Sequence, residues 1–152
     1  MKSGIYQSIL TSKKKGKKLF SVLIDPDKFY SEVIREANKS NVDFIFIGGS
    51  SVTSRNFHRC VNAIHDLTKI PLVIFPGSSE HVSENADAIL LLSLISGMNP
   101  DYLIGEHIRA AKRLKRSELE IIPTGYILIG GGAKISMQSV TRTTPIHRTD
   151  NT

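Results

Sequence analysis

The sequence predicts an α/β fold in which short strands and helices alternate along the chain. Five runs of apolar, mostly β-branched residues recur along the first 122 residues, and amphipathic stretches lie between several of them. The runs are continuous rather than alternating, which is typical of parallel strands that are buried on both faces. The centres of the first and fifth runs, near residues 21 and 121, lie 100 residues apart. Each βα step therefore takes about 25 residues, a spacing that suits a barrel or a doubly wound sheet.

The individual elements follow from this pattern. The predicted strands are Leu19–Ile24, Phe44–Ile47, Leu72–Phe75, Ala88–Leu92 and Leu119–Ile122. The predicted helices are Ser31–Lys39, Arg55–Thr68 and Asp101–Lys115. The third connection, Pro76–Asp87, is too short and too rich in Ser and Gly for a full helix, so we predict a loop with one turn. After the β-like run Tyr126–Ile129, the segment Ser136–Thr152 has no long apolar run and is expected to be loop.

Length and composition limit the possible classes of protein. The 152 residues, of which 40% are hydrophobic, are enough for one core and predict a single domain over residues 1–152. They are too few for a closed α/β barrel, which needs roughly 200 to 250 residues. The charged fraction of 22% excludes an intrinsically disordered chain. The longest apolar stretch, Ala88–Ile95, is too short to cross a bilayer, and the N-terminus lacks the apolar segment of a secretory signal.

The single cysteine bears on both compartment and packing. Cys60 has no possible partner within the chain, which excludes an internal disulfide framework and indicates a cytoplasmic protein. It lies on the apolar face of a predicted helix, so we expect a small buried hydrophobic side chain.

The net charge of +6 comes entirely from residues 1–18, which contain six lysines and no acid, whereas the remaining chain carries 14 basic and 14 acidic residues. Such a run outside any periodic element predicts a solvated basic flank. Attraction of an anionic substrate, or peripheral contact with an acidic membrane surface, are the alternatives. Nucleic acid is not a predicted partner, because only Tyr6 and Phe20 accompany the lysines and could stack on bases.

Candidate functional residues follow the first predicted strand. In parallel α/β folds, reactive groups collect at the carboxyl ends of the strands. Asp25, Asp27 and Lys28 place two carboxylates and an amine there. Carboxylates at this position bind Mg²⁺ through hard oxygen ligands. An Asp-Pro turn that caps the following helix explains the same residues equally well.

The second and third predicted strands also end in small, polar residues. Gly48 and Gly49 let the backbone approach a ligand closely. The hydroxyls of Ser50, Ser51, Thr53 or Ser54 can cap the next helix, contact phosphate or help to hold a metal ion. The third strand ends in the similar segment 76–79, Pro-Gly-Ser-Ser. Three such strand ends on one edge of a sheet favour an anionic, metal-bound ligand, with a phosphate or diphosphate as the simplest choice.

Other residue types offer weaker candidates. His58, His65 and His81 have no metal-ligand spacing and are expected at the surface. Gly130–Gly132 follow a β-like run, but no amphipathic helix clearly follows them, so a dinucleotide-binding loop is not predicted.

Several ordered segments resemble one known family. Leu23–Lys28 and Phe46–Ser50 resemble the geranylgeranylglyceryl phosphate synthase family, which includes the bacterial heptaprenylglyceryl phosphate synthases. The resemblance continues, over about residues 17–146, through Pro71–Gly77, Leu91–Gly97 with Asn99 and Pro100, Glu120–Tyr126 and Thr143–Ile146. Met98 departs from the family pattern, which has Arg at that position.

The resemblance implies a TIM (β/α)8-type barrel, of which this chain is an incomplete N-terminal part of about five βα units. It also implies a prenyltransferase of ether phospholipid biosynthesis, the phosphoglycerol geranylgeranyltransferase, which joins sn-glycerol 1-phosphate to geranylgeranyl diphosphate and releases diphosphate. By this analogy Asp25 and Ser50 hold Mg²⁺. The residues expected to contact substrate are Lys28, Gly48, Gly49, Ser51 and Asn99.

The resemblance also limits what this chain contains. The glycerol-phosphate loops and the expected catalytic base of the family belong to later strands that this sequence lacks, so the catalytic residue is unknown. The intact protein is expected to be a homo-oligomer. A non-catalytic remnant that depends on assembly with another chain, and another phosphate-binding barrel enzyme, remain as alternatives.

Overall fold

The computed structural model describes residues 4–49, 52–130, 136–143 and 146–147. Within this part of the chain, five strands form one parallel sheet, and the five predicted strands are confirmed. They are β1 (Ser21–Ile24), β2 (Phe44–Gly48), β3 (Leu72–Phe75), β4 (Ala88–Leu94) and β5 (Glu120–Tyr126). The helices are α1 (Ile5–Lys14), α2 (Ser31–Lys39), α3 (Ser54–Leu67), α4 (Glu106–Arg116) and α5 (Ser136–Thr141).

The strand order in the sheet is the order along the chain, β1-β2-β3-β4-β5, and every neighbouring pair is parallel. Parallel strands in sequential order, with helices in the connections, are the arrangement of an α/β barrel. In the described residues β1 and β5 each have a neighbour on one side only. The structure is therefore an incomplete barrel, as the resemblance implies.

The main core lies between the sheet and the helices α2 and α3. Ile45, Ile47 and Ile74 on the central strands are fully buried, and so are Ile34 and Phe57 on the helices. Burial of each such side chain contributes about 1.5 to 3 kcal/mol relative to its exposure to water. These strands are covered on both faces, as the continuous apolar runs predict.

The prediction of burial is wrong for the edge strand β1. Leu23 is 57% exposed, and Phe20, which precedes the strand, is also exposed. In a closed barrel these positions face further strands or the barrel interior. In the open sheet formed by the described residues, nothing covers them, so apolar surface remains in contact with water.

The N-terminal region differs from the predicted basic flank over residues 1–18, because Ile5–Lys14 form helix α1. Ile5 packs in a second apolar cluster with Phe44, Val73, Ala88 and Ile122 at the amino ends of the strands. The lysines remain exposed, as predicted; they are Lys13, Lys14, Lys15, Lys17 and Lys18. Helix α1 thus packs against the amino ends of the strands, which we call the lower end of the sheet, and its lysines are exposed to solvent. The carboxyl ends of the strands form the upper end.

The segments that follow β3, β4 and β5 agree with the sequence predictions to different degrees. The β3–β4 segment contains no helix, as predicted. The predicted helix Asp101–Lys115 begins with a π-helical turn, Asp101–Gly105, before α4. The expectation of loop after residue 136 is wrong, because α5 forms there and two short strands, β6 (Ile129–Gly130) and β7 (Ile146–His147), pair in parallel.

The described helices contain no segment that is both long and apolar enough to cross a membrane.

Candidate functional site

Asp25 lies directly after β1, at the carboxyl edge of the sheet. Its Oδ1 accepts a hydrogen bond of 3.0 Å from the Asp27 backbone N–H, which caps the short 3-10 turn Pro26–Lys28. Its Oδ2 lies 3.9 Å from the Lys28 Nζ, and the side chain is 42% exposed. The capping interpretation of the sequence is therefore confirmed. The carboxylate is also partly accessible at the strand end, and its binding of magnesium stays a prediction.

The two carboxylates of this segment face different neighbours. Asp27 turns toward α3, where its Oδ1 accepts a hydrogen bond of 2.6 Å from the Asn56 amide. Asp25 remains at the strand end. The structure thus selects Asp25 as the acidic candidate for ligand binding.

The ends of β1 and β2 come together through two glycines. A Cβ on Gly48 would overlap the carbonyl oxygen of Phe75, so the close approach of β3 permits only glycine there. A Cβ on Gly49 would lie 3.8 Å from the Asp25 Oδ1. The Gly49 backbone therefore lies beside the carboxylate, although the same Cβ would lie only 3.0 Å from the Val52 Cγ2. The ends of β1 and β2 are thus neighbours, and the predicted meeting of Asp25 with Ser50 stays a prediction.

The predicted site residues Ser50 and Ser51 lie outside the described residues, so their contacts with metal and substrate stay predictions. The chain is described again from Val52. Thr53 is the N-cap of α3, and its hydroxyl accepts a hydrogen bond of 3.3 Å from the Asn56 backbone N–H. Helix capping, one of the roles predicted for the hydroxyls of this segment, thus belongs to Thr53.

The donor set at the strand ends fits magnesium. In the described part of the chain, no three His, Cys, Asp or Glu residues cluster as metal ligands do. Magnesium does not require such a cage, because it keeps several waters and is held by one or two carboxylates together with substrate phosphates. Asp25, a partly exposed carboxylate beside the Gly49 backbone, matches that requirement.

Of the remaining predicted contacts, Lys28 lies at the site and Asn99 has a structural role. The Lys28 ammonium is exposed beside Asp25. The Asn99 amide donates a hydrogen bond of 2.7 Å to the Val140 carbonyl, and its Oδ1 accepts one of 3.1 Å from the Asp101 N–H. Asn99 therefore fastens α5 to the π-helical turn, and contact with substrate stays a prediction that these bonds do not favour.

Glu106, at the start of α4, is a residue that the sequence analysis missed. Its carboxylate accepts hydrogen bonds from the Ser79 backbone N–H and from the Arg109 guanidinium. Burial alone would raise the pKa of Glu106, but these hydrogen bonds together lower it below the usual 4.5. The ionised carboxylate ties the loop after β3 to α4. A single acid within a predicted helix gives no sequence signal for such a contact.

An apolar cavity of about 60 Å³ lies beside that loop, between β4 and α4. A helix in the third connection would cover this part of the sheet, but the loop leaves it open. Its lining is mostly hydrophobic and includes Pro76, Leu90, Leu92, Tyr102, Ala110 and Leu114. The cavity therefore begins near the carboxyl edge of β3 and extends along apolar side chains.

The predictions of exposure for the histidines and of burial for Cys60 agree with the structure to different degrees. His81 is only 1% exposed, so its predicted surface position is wrong, whereas His65 is exposed as predicted. The β3–β4 loop folds back under α3, and His81 stacks on Phe57. The prediction for Cys60 is confirmed: it is buried, and burial raises its pKa to about 12.

Curated relatives of this chain are named geranylgeranylglyceryl phosphate synthases. The protein from Chitinophaga pinensis is 46% identical over 150 residues, which cover 96% of this chain and 60% of the relative. The protein from Caldivirga maquilingensis is 32% identical over 153 residues, covering 96% and 57%. The chain thus spans about 60% of the length of the curated relatives that it matches.

Solved structures show the same relationship. The crystal structure of (S)-3-O-geranylgeranylglyceryl phosphate synthase from Thermoplasma acidophilum, in complex with its substrate sn-glycerol-1-phosphate, superposes with a TM-score of 0.87 at 31% identity. It covers 97% of this chain, which matches 60% of that structure. The synthase from Thermoplasma volcanium gives a TM-score of 0.86 at 29% identity. The model of the PcrB family matches residues 11–152, and this chain is therefore a member of the PcrB family.

Proposed function

We propose that this chain forms the diphosphate-binding part of a prenyltransferase that joins sn-glycerol 1-phosphate to geranylgeranyl diphosphate. In this reaction the 3-hydroxyl of glycerol 1-phosphate attacks C1 of the prenyl chain, an ether bond forms, and diphosphate leaves. The observation that carries the proposal is the position of Asp25 beside Gly49 at adjoining strand ends. The names of the relatives and the substrate of the Thermoplasma acidophilum structure support the same reaction.

Asp25 and Ser50 would hold Mg²⁺ against the diphosphate, with Lys28 at the same strand end. When bound, magnesium neutralises the charge that develops on the departing diphosphate. Asp25 supplies the charged oxygen, and the Asp27 N–H fixes its orientation. The exposed Lys28 adds a positive charge beside it. Gly49 carries no side chain beside Asp25, so the diphosphate is proposed to approach the backbone there, while Gly48 allows the close approach of β2 and β3 that positions this strand end.

The apolar cavity between β4 and α4 is the proposed site of the prenyl tail. It opens at the β3 end, next to Gly77, and is lined by side chains such as Leu92 and Tyr102. Removing hydrocarbon from water contributes about 0.8 kcal/mol for each buried methylene group. Such a cavity therefore binds the tail while the diphosphate remains at the polar strand ends. The 60 Å³ cavity takes only part of a polyprenyl chain, and the remainder would lie along its open side.

A non-catalytic remnant that depends on another chain is the second candidate, and one observation favours it. Leu23 and Phe20 are exposed on the edge strand, where a further strand or chain would cover them. The intact protein is proposed to be a homo-oligomer of the cytoplasm. Peripheral contact with an acidic membrane is proposed to use the exposed lysines at the end of α1.

The test uses the purified 152-residue chain with Mg²⁺, glycerol 1-phosphate and radiolabelled geranylgeranyl diphosphate. Formation of a labelled ether lipid, abolished in Asp25→Asn, would support catalysis by this chain. If the chain binds magnesium pyrophosphate in calorimetry but forms no lipid, it is a binding part that lacks the catalytic base. If neither occurs, the remnant hypothesis is favoured. Preferential binding of a different sugar phosphate would favour another phosphate-binding barrel enzyme.

A further inference from the structure

The segment that follows β3 forms one wall of the apolar cavity. Gly77, Ser78 and Ser79 line the cavity on this side, and residues of the π-helical turn and of α4 line it on the other. Residues 76–87 contain no helix that would stiffen this wall. The position of the wall therefore depends on the contacts that Gly77 and Ser79 make with the elements around them.

Helix α4 binds both backbone polar groups of Ser79. The Ser79 N–H donates to the Glu106 carboxylate, and the Ser79 carbonyl accepts a hydrogen bond of 3.3 Å from the Arg113 guanidinium. Glu106 and Arg113 are seven positions apart (106 to 113), about two turns, and so lie on the same face of α4. Hydrogen bonds with one charged partner are stronger than neutral ones. A single residue of the cavity wall is thus held by two oppositely charged side chains.

Two further ion pairs orient the Glu106 carboxylate. The Arg109 guanidinium lies 2.5 Å from the Glu106 Oε1 and 2.9 Å from the Asp101 Oδ1. Asp101 belongs to the π-helical turn, and the absence of a side chain at Gly105 leaves space for its carboxylate, because a Cβ there would lie 2.5 Å from the Asp101 Oδ1. The contact of Glu106 with Ser79 is therefore supported by both the π-helical turn and α4.

The beginning of the same wall is held from the side of α3. The Gly77 N–H donates to the His81 Nδ1 over 3.1 Å, and the buried His81 ring stacks on Phe57 of α3. A contact from the Tyr102 hydroxyl to the Gly77 carbonyl is 3.5 Å long, at the limit of a hydrogen bond. Gly77 and Ser79 are thus bound to different elements, and the contacts of Ser79 set the distance between the wall and α4.

We propose that Glu106 and Arg113 are positioning residues, which hold Ser79 against α4 and so set the width of the cavity that takes the prenyl tail. Hydrocarbon is bound through close contact with the atoms around it, so a wall that moves away from the tail loses binding free energy. Arg113 is absent from the described residues that line the cavity, so it would act on the tail through Ser79. The proposed diphosphate site is at Asp25, and its affinity should not depend on Arg113. This inference rests on the proposed function, because it concerns the proposed site of the tail.

Variants of Arg113 in the 152-residue chain separate this role from a general role in stability. Arg113→Met keeps an unbranched side chain but removes the donors, whereas Arg113→Lys keeps a charged donor. Arg116→Met makes the first change at an exposed arginine of the same helix, which has no hydrogen bond or ion pair in the described part of the chain.

Calorimetry compares two ligands in the presence of Mg²⁺, geranylgeranyl diphosphate and pyrophosphate, which has no tail. We expect Arg113→Met to bind geranylgeranyl diphosphate about fivefold more weakly than wild type, and pyrophosphate within about twofold. Arg113→Lys and Arg116→Met should stay within about twofold for both ligands. Equal weakening for the two ligands, or an unchanged affinity for geranylgeranyl diphosphate, would overturn the proposal.

Amide hydrogen exchange without ligand tests the contact with Ser79 directly. We expect the Ser79 amide to exchange about tenfold faster in Arg113→Met and Glu106→Ala, while the Gly77 amide, which is bound to His81, keeps its rate. Unchanged exchange at Ser79, or equal acceleration at Gly77 through general destabilisation, would overturn the proposal. If the wild-type chain binds geranylgeranyl diphosphate no more tightly than pyrophosphate, the proposed tail site fails, whereas the exchange comparison still decides whether α4 holds the wall.

Discussion

Glu120 at the lower end of the sheet and Asp25 at the upper end both accept backbone hydrogen bonds with their carboxylates, and they differ in how many of these bonds they accept. At the lower end, Glu120 accepts hydrogen bonds from the backbone N–H groups of Ile5, at 2.5 Å, and Tyr6, at 3.0 Å. It therefore caps helix α1 from a strand more than a hundred residues away. At the upper end, Asp25 accepts one backbone hydrogen bond, and the partner of its second oxygen among the described residues is the Lys28 ammonium at 3.9 Å.

This difference separates a structural acid from a functional candidate. Glu120 has its charge balanced by the two N–H groups and by the positive end of the helix dipole. Asp25 keeps an accessible charged oxygen, although the turn holds its orientation. A carboxylate that is oriented but only partly used is what a cation site requires, because binding then needs little rearrangement. The predictions below test this contrast between the two ends.

The largest effect is expected from Gly48→Ala at the upper end. The new Cβ would overlap the Phe75 carbonyl, so β2 and β3 would have to separate, and we expect a loss of about 3 kcal/mol or more in the free energy of unfolding. Gly16→Ala is the matched control, because Gly16 has a φ of +67° but nothing within 4 Å of its Cβ position. That change should cost only about 1 to 2 kcal/mol. Urea denaturation measures both, and equal losses would contradict the close approach.

The next effect concerns Asp25→Asn. Asn retains an acceptor for the Asp27 N–H but removes the charge, so the turn should survive while magnesium-dependent diphosphate binding falls by more than tenfold, or over about 1.4 kcal/mol. Calorimetry with pyrophosphate, with and without Mg²⁺, measures the change. Asp27→Asn is the control, because Asp27 faces Asn56 instead of the strand end. An unchanged affinity in the Asp25 variant would remove the metal site from this position.

At the lower end, Glu120→Gln should affect stability and leave binding unchanged. The Gln amide can accept only one of the two hydrogen bonds, because its NH2 group would face the other N–H donor. The change also removes the favourable charge at the N-terminus of α1, and we expect a cost of about 1 to 2 kcal/mol. Thermal unfolding followed by circular dichroism measures this cost. Glu118→Gln removes an exposed charge from the same region and should be nearly neutral. A loss of diphosphate binding in Glu120→Gln would contradict the separation of the two ends.

The smallest effect is a pH dependence at Glu106. Its pKa in the folded chain lies below the usual 4.5, so around that pH the unfolded chain binds more protons. The contacts of Glu106 with Ser79 and Arg109 therefore stabilise the fold above about pH 4.5, and this contribution is lost as the pH falls through the folded-state pKa.

The comparison of wild type with Glu106→Gln measures this effect. Their difference in urea midpoint should be present at neutral pH and should shrink as the pH falls below about 4.5. Glu32→Gln is the control, because Glu32 is exposed on α2, where it pairs with Arg35 over 3.7 Å and accepts a hydrogen bond of 3.4 Å from the adjacent Ser31 hydroxyl. A difference that is independent of pH would show that the hydrogen bonds, and not the charge, connect the loop to α4.

The central strands and helices could be predicted from the sequence because their signals are local. Residues 44–47 and 72–75 are continuous apolar runs, and the structure buries them on both faces. Helix α1 could not be predicted this way. It is short and rich in lysine, its N-cap is Gly4, and the carboxylate that caps it comes from Glu120. Helix α5 is likewise held from a distance, by the side chain of Asn99.

The residues of the candidate site show the same difference between local sequence signals and distant contacts. Asp25 and Gly49 were predictable because each directly follows a strand, and parallel strands bring their carboxyl ends to one edge. Glu106 was missed, and His81 was wrongly expected at the surface, although both form hydrogen bonds with the loop after β3. Neither belongs to a local motif: Glu106 reaches this loop across 27 residues of sequence, and His81 is buried only because the loop folds under α3.

The amino-acid sequence by itself therefore determined the alternation of strands and helices, the family, and the acidic and glycine-rich strand ends, because these depend on residues adjacent in the chain. Only the tertiary structure decided that the Glu120 carboxylate caps a helix, whereas the Asp25 carboxylate remains partly accessible. It also decided which histidine is buried. The physical reason is that burial and hydrogen bonding depend on partners brought together by folding, and a linear pattern does not contain those distances.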